Sequence, residues 1–172
     1  MHASRLIAGR AWLPALLLCV GLAAGVPAAG APAVDKPRLE VLDADGERLV
    51  SLPMPEGEGW CLEWNHSVEG FAVLDCYRHR DGRMVLERSH LPDFAAGLDH
   101  IPGRGRQVSD GEGGYWIEAI DEPVPGNAYR LRVGAMRVDH RLVVDGVRTS
   151  LSRLAENERV TIRLALPAGI PD

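Results

Sequence analysis

From residue 38 onward, apolar and polar residues alternate with a period of two, the mark of strands with one buried and one wet face. The C-terminal half is clearest. Tyr129, Leu131 and Val133 alternate with Arg130 and Arg132. Met136, Val138, His140, Leu142 and Val144 share one face of the next run, and Val160, Ile162, Leu164 and Leu166 alternate with Arg159, Thr161 and Arg163. Earlier runs predict strands over Arg38–Asp43, Arg48–Leu52, Trp60–Ser67, Val73–His79, Arg83–His90 and Tyr115–Ile120. No segment sustains helical periodicity; Leu91–Leu98 and Leu151–Asn157 each have room for a short helical turn. Asp-Gly pairs at Asp45-Gly46, Asp81-Gly82, Asp110-Gly111 and Asp145-Gly146 supply the positive φ that tight hairpins need. The pattern predicts an all-β domain, an antiparallel β-sandwich or partly open barrel of about nine or ten short strands. The glycine-rich stretch Gly97–Gly114 reads as a functional or mobile loop.

The first 33 residues follow a different rule. Arg5 and Arg10 precede an apolar run from Ala11 to Ala29, and Val26-Pro27-Ala28 and Ala31-Pro32-Ala33 both suit cleavage after a small residue. Met1–Ala33 is therefore expected to be a signal peptide or membrane anchor, and residues 34–172 a single all-β domain. At 19 residues the apolar run is long enough to span a bilayer, but Pro14, Gly21 and Gly25 favour cleavage. Membrane contact is expected only through an uncleaved leader. Cys19 follows Leu16-Leu17-Leu18 and lacks the small preceding residue of a lipidation site.

The leader holds two arginines and no acid, so removing it changes the net charge from −5 to −7 over 139 residues. A surface this acidic argues against a nucleic-acid partner. The acid is concentrated in Val34–Pro125, with 19 acidic against 9 basic residues; Gly126–Asp172 holds 5 against 8. Two cysteines remain, Cys61 and Cys76. If Trp60–Ser67 and Val73–His79 pair through Ser67–Gly70, matching His66 with Phe71 sets Cys61 opposite Cys76, and an exported chain would bridge them. There is no Cys-x-x-Cys, which argues against a thiol oxidoreductase.

Candidate chemistry gathers at Trp64-Asn65-His66-Ser67-Val68-Glu69. His66 shares its phase with Trp60, Leu62 and Trp64, so its imidazole points toward the core. Buried there, it must find a hydrogen bond or bear the cost of desolvation. Glu69 and Asp75 are the nearest acids. Two readings stand: a core histidine that fastens the hairpin, or a ligand-facing, proton-handling group. His140 poses the same question from the Met136–Val144 run, and the two could converge. His66, Ser67, Glu69, Asp75 and His140 form the candidate binding or structural site. His66, His79, His90, His100 and His140 form no close pair of the His-x-x-x-His kind, so neither metal nor cofactor is expected. Ser67 lies beside His66 on the opposite strand face, and no Gly-x-Ser-x-Gly elbow exists. Gly103-Arg104-Gly105-Arg106 lacks the strand-to-helix setting of a phosphate or dinucleotide loop.

Trp64-Asn65-His66-Ser67-Val68-Glu69, the acid at Asp75, Phe94-Ala95-Ala96-Gly97-Leu98 and Asp139-His140-Arg141-Leu142 together resemble the domain-of-unknown-function 1850 family over nearly the whole mature chain. The His-Ser-Val-Glu core is the specific part. Asp75 stands where that family usually has Glu, and Ala95 where it often has Gly. The resemblance implies a small exported bacterial protein, periplasmic or anchored by its N-terminus, of a kind often encoded beside TRAP-type transporters. It implies no catalytic mechanism. The expected function is a non-enzymatic extracytoplasmic accessory or binding module of such an uptake system. Its expected partners are a TRAP receptor or membrane subunit, or a small solute. The alternative is an envelope hydrolase or metal-dependent enzyme centred on His66.

Overall fold

The computed structural model of the chain describes residues 36–68, 70–91 and 103–167. The leader, Glu69, His100, the segment Phe94–Leu98 and part of the expected Gly97–Gly114 loop lie outside the described residues.

Two antiparallel sheets enclose one main core. The smaller has the order β2 (Arg48–Pro53), β1 (Arg38–Leu42), β12 (Arg159–Ala165), β9 (Ala128–Arg132). The larger runs β11 (Val147–Ser150), β10 (Arg141–Val144), β3 (Gly59–Asn65), β4 (Ala72–Arg80), β5 (Arg83–Leu91), β7 (Tyr115–Glu118), β6 (Arg106–Ser109), and β8 (Glu122–Pro123) pairs with β5. Neither sheet closes on itself, so the chain is a β-sandwich and not a barrel. Alternation explains the layers. Leu39, Val41, Val160, Ile162 and Leu164 of the smaller sheet pack against Trp60, Leu62, Tyr77 and Met84 of the larger, all buried. The outer face of the smaller sheet carries Glu40, fully buried beneath the arginines Arg48 and Arg163 at 3.0 and 2.7 Å.

Turn chemistry sets the registers. Asp81 and Gly82 take φ of 53° and 69°, and Asp145 and Gly146 take 49° and 77°, the paired positive values of a two-residue hairpin turn. They join β4 to β5 and β10 to β11. A short helix, α1 (Leu151–Ala155), is capped by Ser150, whose side chain accepts from the Arg153 N–H at 3.2 Å. Among the described residues no helix is long and apolar enough to cross a membrane.

Three features differ from expectation. The described residues contain twelve strands; β6 lies within the stretch read as a loop, and β11 follows Asp145-Gly146. The Met136–Val144 run is a strand only from Arg141. Before it, the N–H groups of Val138 and Asp139 fold back on the Ala135 carbonyl at 2.8 and 3.1 Å, and Asp139 adopts φ of 45°. Alternation survives such a turn by chance, because Met136 is in fact exposed.

Candidate functional site: a cleft under Asp75

The larger sheet has seven strands in its main order against four in the smaller, so one part of its inner face needs cover from elsewhere. A row of side chains crosses that face through directly opposed residues: Leu62 on β3, Asp75 on β4, Ser89 on β5, Ile117 on β7. On one side of the row lies the main core, with Leu62 and Tyr77. On the other, Leu91, Tyr115 and Ile117 form a small second cluster. Asp75 and Ser89 are thus a polar pair at the seam between two apolar clusters.

The seam opens into a cleft of about 180 Å³. Asp75 and Ser89 supply its polar floor, Trp64, Val73, Leu91 and Ile117 its walls, and Arg104 its rim. Ser89 Oγ donates to Asp75 Oδ1 at 2.6 Å. The Arg104 guanidinium is held by Glu122, whose Oε2 lies 2.8 Å from both Nε and Nη2. Gly105 lets Arg104 come this close. Its φ is 71°, and a Cβ there would lie 2.7 Å from the Glu118 carbonyl oxygen and 2.9 Å from Ile117 Cγ2.

Burial pushes the Asp75 carboxyl above its ordinary value, while the Ser89 hydrogen bond and the Arg104 charge pull the other way. The effect reaches deeper. Burial, and then the Asp75 charge, push Tyr77 up to about 12. Tyr77 stacks on Trp60 at 5.5 Å and on Tyr129 at 5.3 Å between ring centroids. Tyr129 Oη and Trp60 Nε1 are both buried without a hydrogen-bond partner among the described residues, and burial raises the Tyr129 pKa as well. A polar column therefore runs from Asp75 into the sandwich.

The other expected residues take different positions. The His66 N–H donates to the Phe71 carbonyl at 2.7 Å, and its ring stacks on Phe71 at 5.1 Å. Ser67 is exposed, and its carbonyl accepts from Arg137 Nη1 at 3.2 Å. Glu69 lies outside the described residues. His140 precedes β10 instead of sitting within a strand. Its Nδ1 accepts the Gly134 N–H at 2.9 Å, and its ring stacks on Trp64 at 6.1 Å. Burial lowers its pKa, with Arg141 adding to the effect and Asp139 opposing it. Ser152 ties this turn down, donating to the Gly134 carbonyl at 2.7 Å and accepting the His140 N–H at 3.1 Å. The structure thus brings Trp64 to both His140 and the Asp75 cleft. Among the described residues no group of three or more His, Cys, Asp or Glu side chains is arranged to hold a metal.

Cys61 and Cys76 form a disulfide, at opposed positions in the register that also pairs Asn65 with Ala72. The bond lies on the outer face of the sheet, opposite the cleft, and fixes β3 to β4 where Trp64, Val73 and Asp75 must be aligned.

Ser89 and Arg104 carry weight that the sequence reading did not give them. A signal for Ser89 existed. Met84 and Leu86 lie in one phase of β5, Ser89 and Leu91 in the other, and the slip marks a bulge. The register shifts there, with Cys76 facing Arg88 and Tyr77 facing Leu86. Arg104 lay within the glycine-rich stretch already singled out as a functional loop.

The family model described as Domain of unknown function (DUF1850) matches residues 61–151, more than half of the chain. The chain belongs to the DUF1850 family. No curated protein and no solved structure matches it. The DUF1850 match begins at Cys61 in β3 and ends at Leu151 after β11, so it contains every residue of the cleft. Strands β1, β2 and β12, most of the smaller sheet, fall outside it.

Proposed function

We propose that this DUF1850 chain is a non-enzymatic, extracytoplasmic binding module associated with a TRAP-type solute uptake system, exported to the periplasm by its Met1–Ala33 leader. The observation that carries the binding role is the Asp75–Ser89 pair on the floor of an apolar-walled cleft. A polar pair placed between two hydrophobic clusters costs stability that the fold has no need to spend, and such placements mark ligand sites. The disulfide fits an oxidising compartment. The non-enzymatic reading draws on how the reactive groups are engaged: His140 Nδ1 accepts a backbone N–H, Asp75 accepts from Ser89, and the His66 ring stacks on Phe71. The TRAP link draws on the family resemblance.

The test is to delete the gene and measure uptake of the neighbouring transporter's solute, restoring wild-type or Asp75→Asn protein. Reduced uptake, rescued by wild type and not by Asp75→Asn, is the expected result. Unchanged uptake, with no transporter component co-purifying, would remove this function and leave an enzyme centred on His66 to pursue.

A further inference from the structure

Some charged side chains of the larger sheet sit in ion pairs: Glu63 holds Arg141 and Arg148, Glu87 holds Arg78, and Glu118 holds Arg106. Asp75, on the cleft floor, is in no such pair. Its only hydrogen bond among the described residues is the one that Oδ1 accepts from Ser89, while Oδ2 accepts none and the side chain lines the cleft. Resting on the binding role proposed above, we infer that the cleft takes a small organic cation, whose ammonium group donates to Asp75 Oδ2 while its carbon skeleton lies against Trp64, Val73 and Leu91.

The choice of a cation follows from what each polar group has left to offer. The Ser89 hydroxyl hydrogen is committed to Asp75, and Arg104 turns Nε and Nη2 to Glu122. The atom left over on the cleft floor is Asp75 Oδ2, an acceptor, so a ligand that reaches it must bring the donor. Charge agrees. The charged group of the floor is Asp75, while Arg104 at the rim is held by Glu122, so an anion seated against the floor would meet a carboxylate. A desolvated carboxylate gains most from a charged donor, since ion-assisted hydrogen bonds are about twice as strong as neutral ones. Trp64 lines the same cleft, and an indole attracts a cation placed over its ring. At about 180 Å³ the cleft is smaller than the roughly 300–1,000 Å³ of drug-sized sites, which limits the ligand to a short carbon chain.

The test uses purified exported protein and three probes of one carbon skeleton: butylammonium chloride, butanol and sodium butyrate, at matched ionic strength. Thermal melting and titration calorimetry read binding directly, so the result does not depend on transport. Butylammonium is expected to raise the melting temperature, while butanol and butyrate do not. Asp75→Asn is expected to remain folded, with a melting temperature at least that of wild type, and to lose the butylammonium response by tenfold or more in affinity. Asp75→Glu should keep a measurable part of it. An undiminished response in Asp75→Asn, a response to butyrate, or none to butylammonium would overturn the ligand class. Loss of uptake on gene deletion together with silence toward butylammonium would sink the cation alone and leave the binding module standing.

Discussion

The charged form of Asp75 bears a desolvation cost. Burial raises its pKa above the ordinary 3.8, so the folded state binds a proton more readily than the unfolded chain does. Stability from this group is therefore greatest in acid and falls as pH rises from about 3.8 through the folded value. Asp75→Asn removes the charge and keeps an acceptor for Ser89. It should stabilise the protein near neutral pH by about 0.5–2 kcal/mol, the usual size of one favourable substitution. The difference should vanish in acid. Urea unfolding across the pH range checks this, and a neutral-pH loss of stability would show that Asp75 is a structural charge. His140 titrates in the opposite sense. Its pKa is lowered from 6.5, so its contribution is complete above about 6.5 and is lost as pH falls through the folded value. His140→Ala leaves the Gly134 N–H without its acceptor and should cost ~1–3 kcal/mol at neutral pH. The gap from wild type should narrow in acid; a pH-independent gap would assign the loss to packing against Trp64.

At the scale of elements, hairpin register is the property most readable from sequence. Pairing His66 with Phe71 was enough to set Cys61 opposite Cys76, because side chains alternate strictly and the loop between the strands is short. The disulfide closes a separation of 15 residues, worth about 3 kcal/mol on chain entropy. Replacing both cysteines with serine, or melting in reductant, should lower stability by that amount. A negligible change would mean that the β3–β4 hairpin is already ordered in the unfolded ensemble. Strand ends and bulges were less readable. Alternation says nothing of where hydrogen bonding stops, so Met136–Asp139 passed as strand. β6 was hidden because Arg106–Ser109 is short and mostly exposed. The partners of Asp75 were hidden for a related reason: opposition across β4 and β5 depends on the bulge, and Arg104 stands beside a glycine whose backbone lies close against β7. Gly105→Ala tests that approach. Its Cβ would meet backbone at 2.7 Å, and overpacking of this kind should cost about 1–3 kcal/mol. It should also shift Arg104 and weaken cleft binding; an unaltered melting temperature would show that β7 yields easily.

On the scale of the whole molecule, scaffold and site divide between the two faces of one sheet. The outer face of the larger sheet carries the disulfide and the Glu63–Arg141 pair at 2.9 Å, contacts that hold strands together. The inner face carries the core and then, past Leu62, the Asp75 cleft. The family match covers this sheet from β3 to β11 and leaves β1, β2 and β12 outside, which fits a smaller sheet that mainly covers the core. Such a division predicts that variants will separate into two groups. His66→Ala removes a stacked ring at the end of the β3–β4 hairpin and should lower stability by ~1–3 kcal/mol. Complementation by it should fall only in proportion to the folded protein that remains. Asp75→Asn should show the reverse, with stability kept or raised and uptake lost. Plotting uptake against melting temperature for both variants decides between them. If His66→Ala abolishes uptake at wild-type stability, the working site lies at the His66 end of the hairpin, and the Asp75 cleft is a packing defect beside it.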